Sequence, residues 1–72
     1  MRFSELVKGV RRDLSLSQEQ IARELNISFS TVNRWENGKS KPSNMAKEIF
    51  FAFCESKNID IKAYLKGGAL DD

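Results

Sequence analysis

Apolar residues recur along this chain at helical intervals and nowhere in sustained alternation. Phe3, Leu6, Val7, Val10 and Leu14 fall at i, i+3, i+4, i+7 and i+11, one stripe of an amphipathic helix. Gly9 lies inside it and costs about 1 kcal/mol relative to Ala. After Arg11 and Arg12 the pattern breaks at "DLSLS". A second helix opens at Ser17, where Gln20 completes an S-x-x-Q capping box and Leu16 with Ile21 forms a hydrophobic staple. Ile21, Ala22 and Leu25 then face inward. Asn26 tolerates the left-handed conformation that ends a helix. A third helix repeats the entry: Ile27 and Val32 are a staple around the serine cap Ser28, and Gly38 supplies the closing turn.

The short connection between the second and third helices makes them a helix-turn-helix pair, and the small Ala22 suits a close crossing. In the loop "KSKPSN", Pro42 disfavours a helical Lys41, and Ser43 or Asn44 caps a fourth helix. Met45, Ile49, Ala52 and Phe53 form its expected inner stripe, with Phe50 or Phe51 at the edge. Asn58 or Asp60 caps a short last helix carrying Ile61, Tyr64 and Leu65. The expected fold is all-α, with five helices in one domain over residues 1–66 and a flexible C-terminal tail over 67–72.

A chain of 72 residues supports one domain with a modest core. Its lone Cys54 reads as a packing residue and forms no internal disulfide. With no histidine, no zinc site of the usual kind is expected, nor any other metal or cofactor. One unpaired cysteine fits a reducing cytosol, so a cytoplasmic location is expected. No apolar run approaches the roughly 20 residues of a membrane span. No nucleophile–base pair, carboxylate pair or phosphate-cradling loop stands out, so the chain does not read as an enzyme. The net charge of +2 says little, but from Arg34 to Lys47 four cations face the single acid Glu36. A basic stretch beside a helix end points to phosphate.

Successive helical side chains turn by about 100°. With Val32 and Trp35 turned inward, Phe29, Ser30, Asn33, Arg34 and Asn37 spread over the outer side of the third helix. A plain solvated face favours strong helix formers such as Glu and Lys, whereas Ser, Asn and Phe are poorer ones. Base edges account for this set better. Arg donates two hydrogen bonds to guanine, Asn pairs bidentately with adenine, Ser bonds to several edges, and an apolar group covers a thymine methyl. Gln18, on the first turn of the second helix, is placed for a phosphate contact.

"LSQEQIARELNISFSTVNRWENGKSKPS", residues 16–43, resembles the helix-turn-helix of the phage repressor and Cro family, also called the xenobiotic response element family. The matching features are L-S-Q-E-x-[I/L]-A, the turn, S-x-x-[T/S]-[V/I]-x-x-[W/hydrophobic]-E-N-G-K, and the proline soon after. The flanking helices fit the family's compact five-helix plan. The resemblance implies base-reading roles for Phe29, Ser30, Asn33 and Arg34, and phosphate contacts for Gln18, Thr31, Asn37, Lys39 and Lys41. It also implies a structural ion pair between Arg11 and Glu36, for which the alternative is Arg11 on phosphate. Ser15 and Asn26 stand where the family often has Gly, and Ser15 is expected to carry some strain. Phe29 is unusual at its position: it contacts thymine methyls, stacks at the groove edge, or tucks back onto the protein.

The expected function is sequence-specific binding of double-stranded DNA by a small bacterial or phage transcriptional regulator, most simply a repressor. It would read the major groove as a homodimer. The alternatives are a protein-interaction module, such as an antitoxin that masks a toxin, and the DNA-targeting domain of a longer protein.

Overall fold

The computed structural model describes residues 1–72 as five helices without a strand. They are α1 (Phe3–Asp13), α2 (Gln18–Leu25), α3 (Phe29–Asn37), α4 (Asn44–Ser56) and α5 (Ile61–Leu65). Local chemistry sets their ends. Ser17 accepts from Gln20 N–H at 3.0 Å, while the Gln20 side chain accepts from Ser17 N–H at 2.7 Å. Ser28 accepts from Thr31 N–H at 3.1 Å and Ser43 from Ala46 N–H at 3.0 Å. Asp60 caps α5, and Asn58 instead adopts positive φ after α4. Asn26 (φ 58°) closes α2 and Gly38 (φ 67°) closes α3, both left-handed. Ser15 ends the α1 segment at φ 57°, a conformation that strains an L side chain.

The core is built from Phe3, Leu6, Val7 and Val10 of α1, Ile21, Ala22 and Leu25 of α2, Val32 of α3, and Ala46, Phe50, Phe53 and Cys54 of α4. Phe3 stands at its centre, edge-on to Trp35 at 5.4 Å and to Phe50 at 5.7 Å between ring centroids. Such pairs contribute about 0.5–1.5 kcal/mol each beyond area burial. Trp35 is thereby half-buried against α1, and α3 packs on both α1 and α2.

The inner face of α4 differs from expectation. Met45 is 68% exposed and Ala52 is also exposed, while Ala46, Phe50, Phe53 and Cys54 are buried. Both sets have helical spacing, so periodicity alone leaves the choice open. The observed face places the small Ala46 and Cys54 either side of the bulky Phe50, which meets Phe3. Ile49 and Phe51 flank it, half-buried.

Residues 67–72 have no regular structure. Leu70 packs against the core, and the Asp72 carboxylate accepts from Phe3 N–H at 2.9 Å at the start of α1. Tyr64 of α5 lies over Gly9, whose missing side chain leaves room for its ring, and donates to Asp13. No helix is long and apolar enough to cross a membrane.

Candidate nucleic-acid interface

α3 is held from behind by Val32, fully buried, and by Trp35. Its far side is open. Phe29 is 48% exposed, so it does not tuck into the core, and Ser30, Arg34 and Asn37 are exposed as well. Asn33 and Thr31 lie half-buried on opposite flanks of that face. The Thr31 hydroxyl is 2.7 Å from Ser28 Oγ, and the Ser30 hydroxyl 3.2 Å from it, so both hydroxyls join the helix cap.

Beneath this face Arg11 and Glu36 meet as a two-pronged ion pair. Nε lies 2.7 Å from Oε2 and Nη2 2.9 Å from Oε1. Arg11 Nη1 also donates to Leu16 O at 3.0 Å, tying the α1–α2 connection to the pair. Glu36 is 4% exposed. Burial by itself pushes its carboxyl pKa up. The hydrogen bonds from Arg11 and Gln18 and the charges of Arg11 and Lys8 outweigh that push and leave it below its ordinary 4.5. The Arg11 pKa is correspondingly raised, chiefly by its hydrogen bonds to Glu36.

The pair extends outward. Gln18 Nε2 donates to Glu36 Oε1 at 3.0 Å, Asn33 Nδ2 to Gln18 Oε1 at 3.3 Å, and Asn37 Nδ2 to Asn33 Oδ1 at 3.3 Å. One continuous chain thus runs from α1 through α2 to the outer face of α3. Gln18, Asn33 and Asn37, each singled out by sequence, are joined in a way their spacing does not disclose. Arg34 belongs to no such chain. With Ser40, Lys41 and Ser43 it lines a recess of about 160 Å³ beside the end of α3. Lys39 and Lys41 are exposed on the loop after α3, at the edge of the same surface.

Sequence reasoning missed one residue that shapes this edge. Arg2 Nη2 donates to Gly38 O at 2.7 Å, and its Nε lies 3.6 Å from an Asp72 carboxylate oxygen. A cation on the last carbonyl of a helix is favourable. No local motif announces a bond across 36 positions of the chain. Gly38 is also pressed against α1, because a Cβ there would meet Ser4 Oγ at 3.0 Å.

The family model described as "Helix-turn-helix" matches residues 7–45, more than half of the chain. The HTH-type transcriptional activator BcrR of Enterococcus faecalis is 37% identical over 43 residues, which are 60% of this chain and 21% of that protein. The chain therefore spans about a fifth of the length of that relative. No solved structure matches. The matched residues contain α2, the turn at Asn26 and α3, with their caps, core residues and outward face, and this chain belongs to the helix-turn-helix family.

Proposed function

We propose that this chain binds double-stranded DNA sequence-specifically and serves in transcriptional regulation, with α3 as the recognition helix in the major groove. The observation that carries the reading is the outward face of α3. It presents Phe29, Ser30, Asn33 and Arg34 from a helix anchored behind by Val32, Trp35 and the Arg11–Glu36 pair. Arg34 is the guanine reader, Asn33 the adenine reader, Ser30 a contact to base edges, and Phe29 the apolar surface for a thymine methyl. Thr31, Asn37, Lys39 and Lys41 meet phosphates along the rim, and Gln18 does so from the first turn of α2. Two copies would occupy half-sites about 34 Å apart. This is binding without catalysis, by a cytoplasmic protein. In a longer protein the same residues would supply its targeting domain, as the 21% share of the relative suggests.

Salt titration of duplex binding tests the reading. Observed affinity should fall on a log–log plot with a slope of about −0.9 for each phosphate neutralised. A flat dependence rejects it. Selection from a random duplex pool should return a two-fold-related site. Arg34→Ala should cost roughly 1–3 kcal/mol at one base position, while Lys39→Ala weakens all sequences alike. A protein-interaction role is the second reading, favoured by Met45, which is 68% exposed beside Ile27, Trp35 and Ile49. A stoichiometric protein partner without selective DNA enrichment would replace the first reading with this one.

A further inference from the structure

The segment after α5 is tied down at three successive residues. Leu70 packs against the core, Asp71 N–H donates to Met1 O at 3.0 Å, and the Asp72 carboxylate accepts from Phe3 N–H at 2.9 Å. The last bond supplies what the start of α1 lacks, since Arg2 at the N-cap has a side chain without an acceptor. Asp72 also lies 3.6 Å from Arg2 Nε, and its side chain is only 10% exposed. Behind this tip the chain pivots on Gly67, at φ +83° with nothing within 4 Å of where a Cβ would stand.

The tip reaches the rim of the α3 face. Asp72 is the one acid lining the recess beside the end of α3, whose cations are Arg34 and Lys41. Arg2 joins the two sides, with Nη2 on Gly38 O at 2.7 Å and Nε toward Asp72. We propose that residues 69–72 form an autoinhibitory strap: Asp72 holds the cationic edge of Arg2, Arg34 and Lys41 in the free chain, and a backbone phosphate of duplex DNA displaces it. This rests on the reading of α3 as the recognition helix. Carboxylate and phosphate seek the same donors and repel each other, so one excludes the other. Departure of Asp72 frees the Arg2 charge for phosphate, while the bond to Gly38 O keeps Arg2 against α3. Apparent affinity is then the intrinsic affinity reduced by the fraction of chains whose strap is open. Leu70 and Asp72 set that fraction without touching DNA.

The experiment measures affinity for a site selected from a random duplex pool, using the parent, Asp72→Ala, Leu70→Ser and the double variant. Each single variant should bind about 5- to 30-fold more tightly, the order of one charge-assisted hydrogen bond partly open to water. Both should melt at lower temperature, so affinity and stability move in opposite directions. Leu70→Ser alters no charge, and its gain separates release of the strap from removal of an acid. The double variant should gain no more than the better single one, because both release the same segment. Glu55→Gln removes an equal charge about 18 Å along α4 from the recess residue Ser43, beyond the screening length, and should stay within about twofold of the parent. Hydrogen exchange at the Asp71 amide should be slow in the free chain and speed up when duplex is added. Unchanged or weaker binding by Asp72→Ala and Leu70→Ser, or an Asp71 amide that stays protected on DNA, overturns the strap and leaves DNA recognition standing. If neither the parent nor the variants bind any duplex, the recognition reading fails and this inference with it.

Discussion

Glu36→Ala removes the acceptor of three hydrogen bonds: two from Arg11, at 2.7 and 2.9 Å, and one from Gln18 at 3.0 Å. What remains is a guanidinium whose side chain is 15% exposed and whose one other acceptor is Leu16 O. Breaking a buried pair from one side typically costs about 3–5 kcal/mol. Because Arg11 retains some access to water, the lower end applies, about 3 kcal/mol. A domain of 72 residues is stable by roughly 4–11 kcal/mol in all, so this loss is a large share. It should lower Tm by roughly 12–24 °C. Urea unfolding followed by circular dichroism at pH 7 should show an earlier midpoint at an unchanged slope. The pH dependence is a second readout. The folded-state pKa of Glu36 is depressed, so its contribution is present above the unfolded value and fades as pH falls through the folded one. Parent and variant should therefore converge in acid, below the ordinary 4.5. Replacing both partners with methionine should cost less than the two single replacements added together, since apolar substitutes leave no stranded charge. Equal midpoints for Glu36→Ala and the parent at pH 7 would refute this reasoning.

Gly38→Ala should destabilise by about 1–2 kcal/mol in thermal melts, because φ is +67° and the new Cβ would stand 3.0 Å from Ser4 Oγ. Ser15→Gly should raise Tm by a few degrees, since relief of the left-handed strain at φ 57° exceeds the added chain entropy by about 0.5–1 kcal/mol. Tyr64 is the single tyrosine of the chain, so an absorbance titration of the phenolate reports on it alone. Its hydrogen bond to Asp13 comes first among the causes that raise its pKa from 10.0 to about 12. A raised folded-state value means that this stabilisation is complete below about 10 and fades as pH rises toward about 12, and Tyr64→Phe should abolish that alkaline limb. Burial lifts the Cys54 thiol to about 11, so thiol-reagent labelling should occur only at the rate of opening and speed up with denaturant.

Caps and turns were legible because each is decided within a few residues. Ser17 with Gln20, Ser28, Asn26 and Gly38 act where their local sequence placed them. The face of α4 was not, because two apolar stripes one residue apart fit the same period, and only the rings of Phe3 and Phe50 settle which is buried. In α3 the division into an inner and an outer side followed from Val32 and Trp35 alone. The direction of Phe29 did not, since an aromatic ring on a leading turn is compatible with either side. Gln18 shows the limit most clearly. Its place on the first turn of α2 is readable from the sequence, but the bonds of its amide to Glu36 and Asn33, 18 and 15 residues away, are not. Arg2 on Gly38 O is longer in range still. Bonds of that kind become visible only once the helices are docked.

The outward positions of α3 are attached to the fold unequally, and this bears on how such a protein can diverge. Arg34 and Phe29 project without a hydrogen-bonding partner in the chain, so new letters can be tried there at little cost to folding. Asn33 is bonded to Gln18 and Asn37. A new residue at position 33 disturbs a chain that ends in the core, and position 18 must answer it. On the reading of α3 proposed above, substitution should therefore run freely at 29 and 34, while 33 and 18 change as a pair.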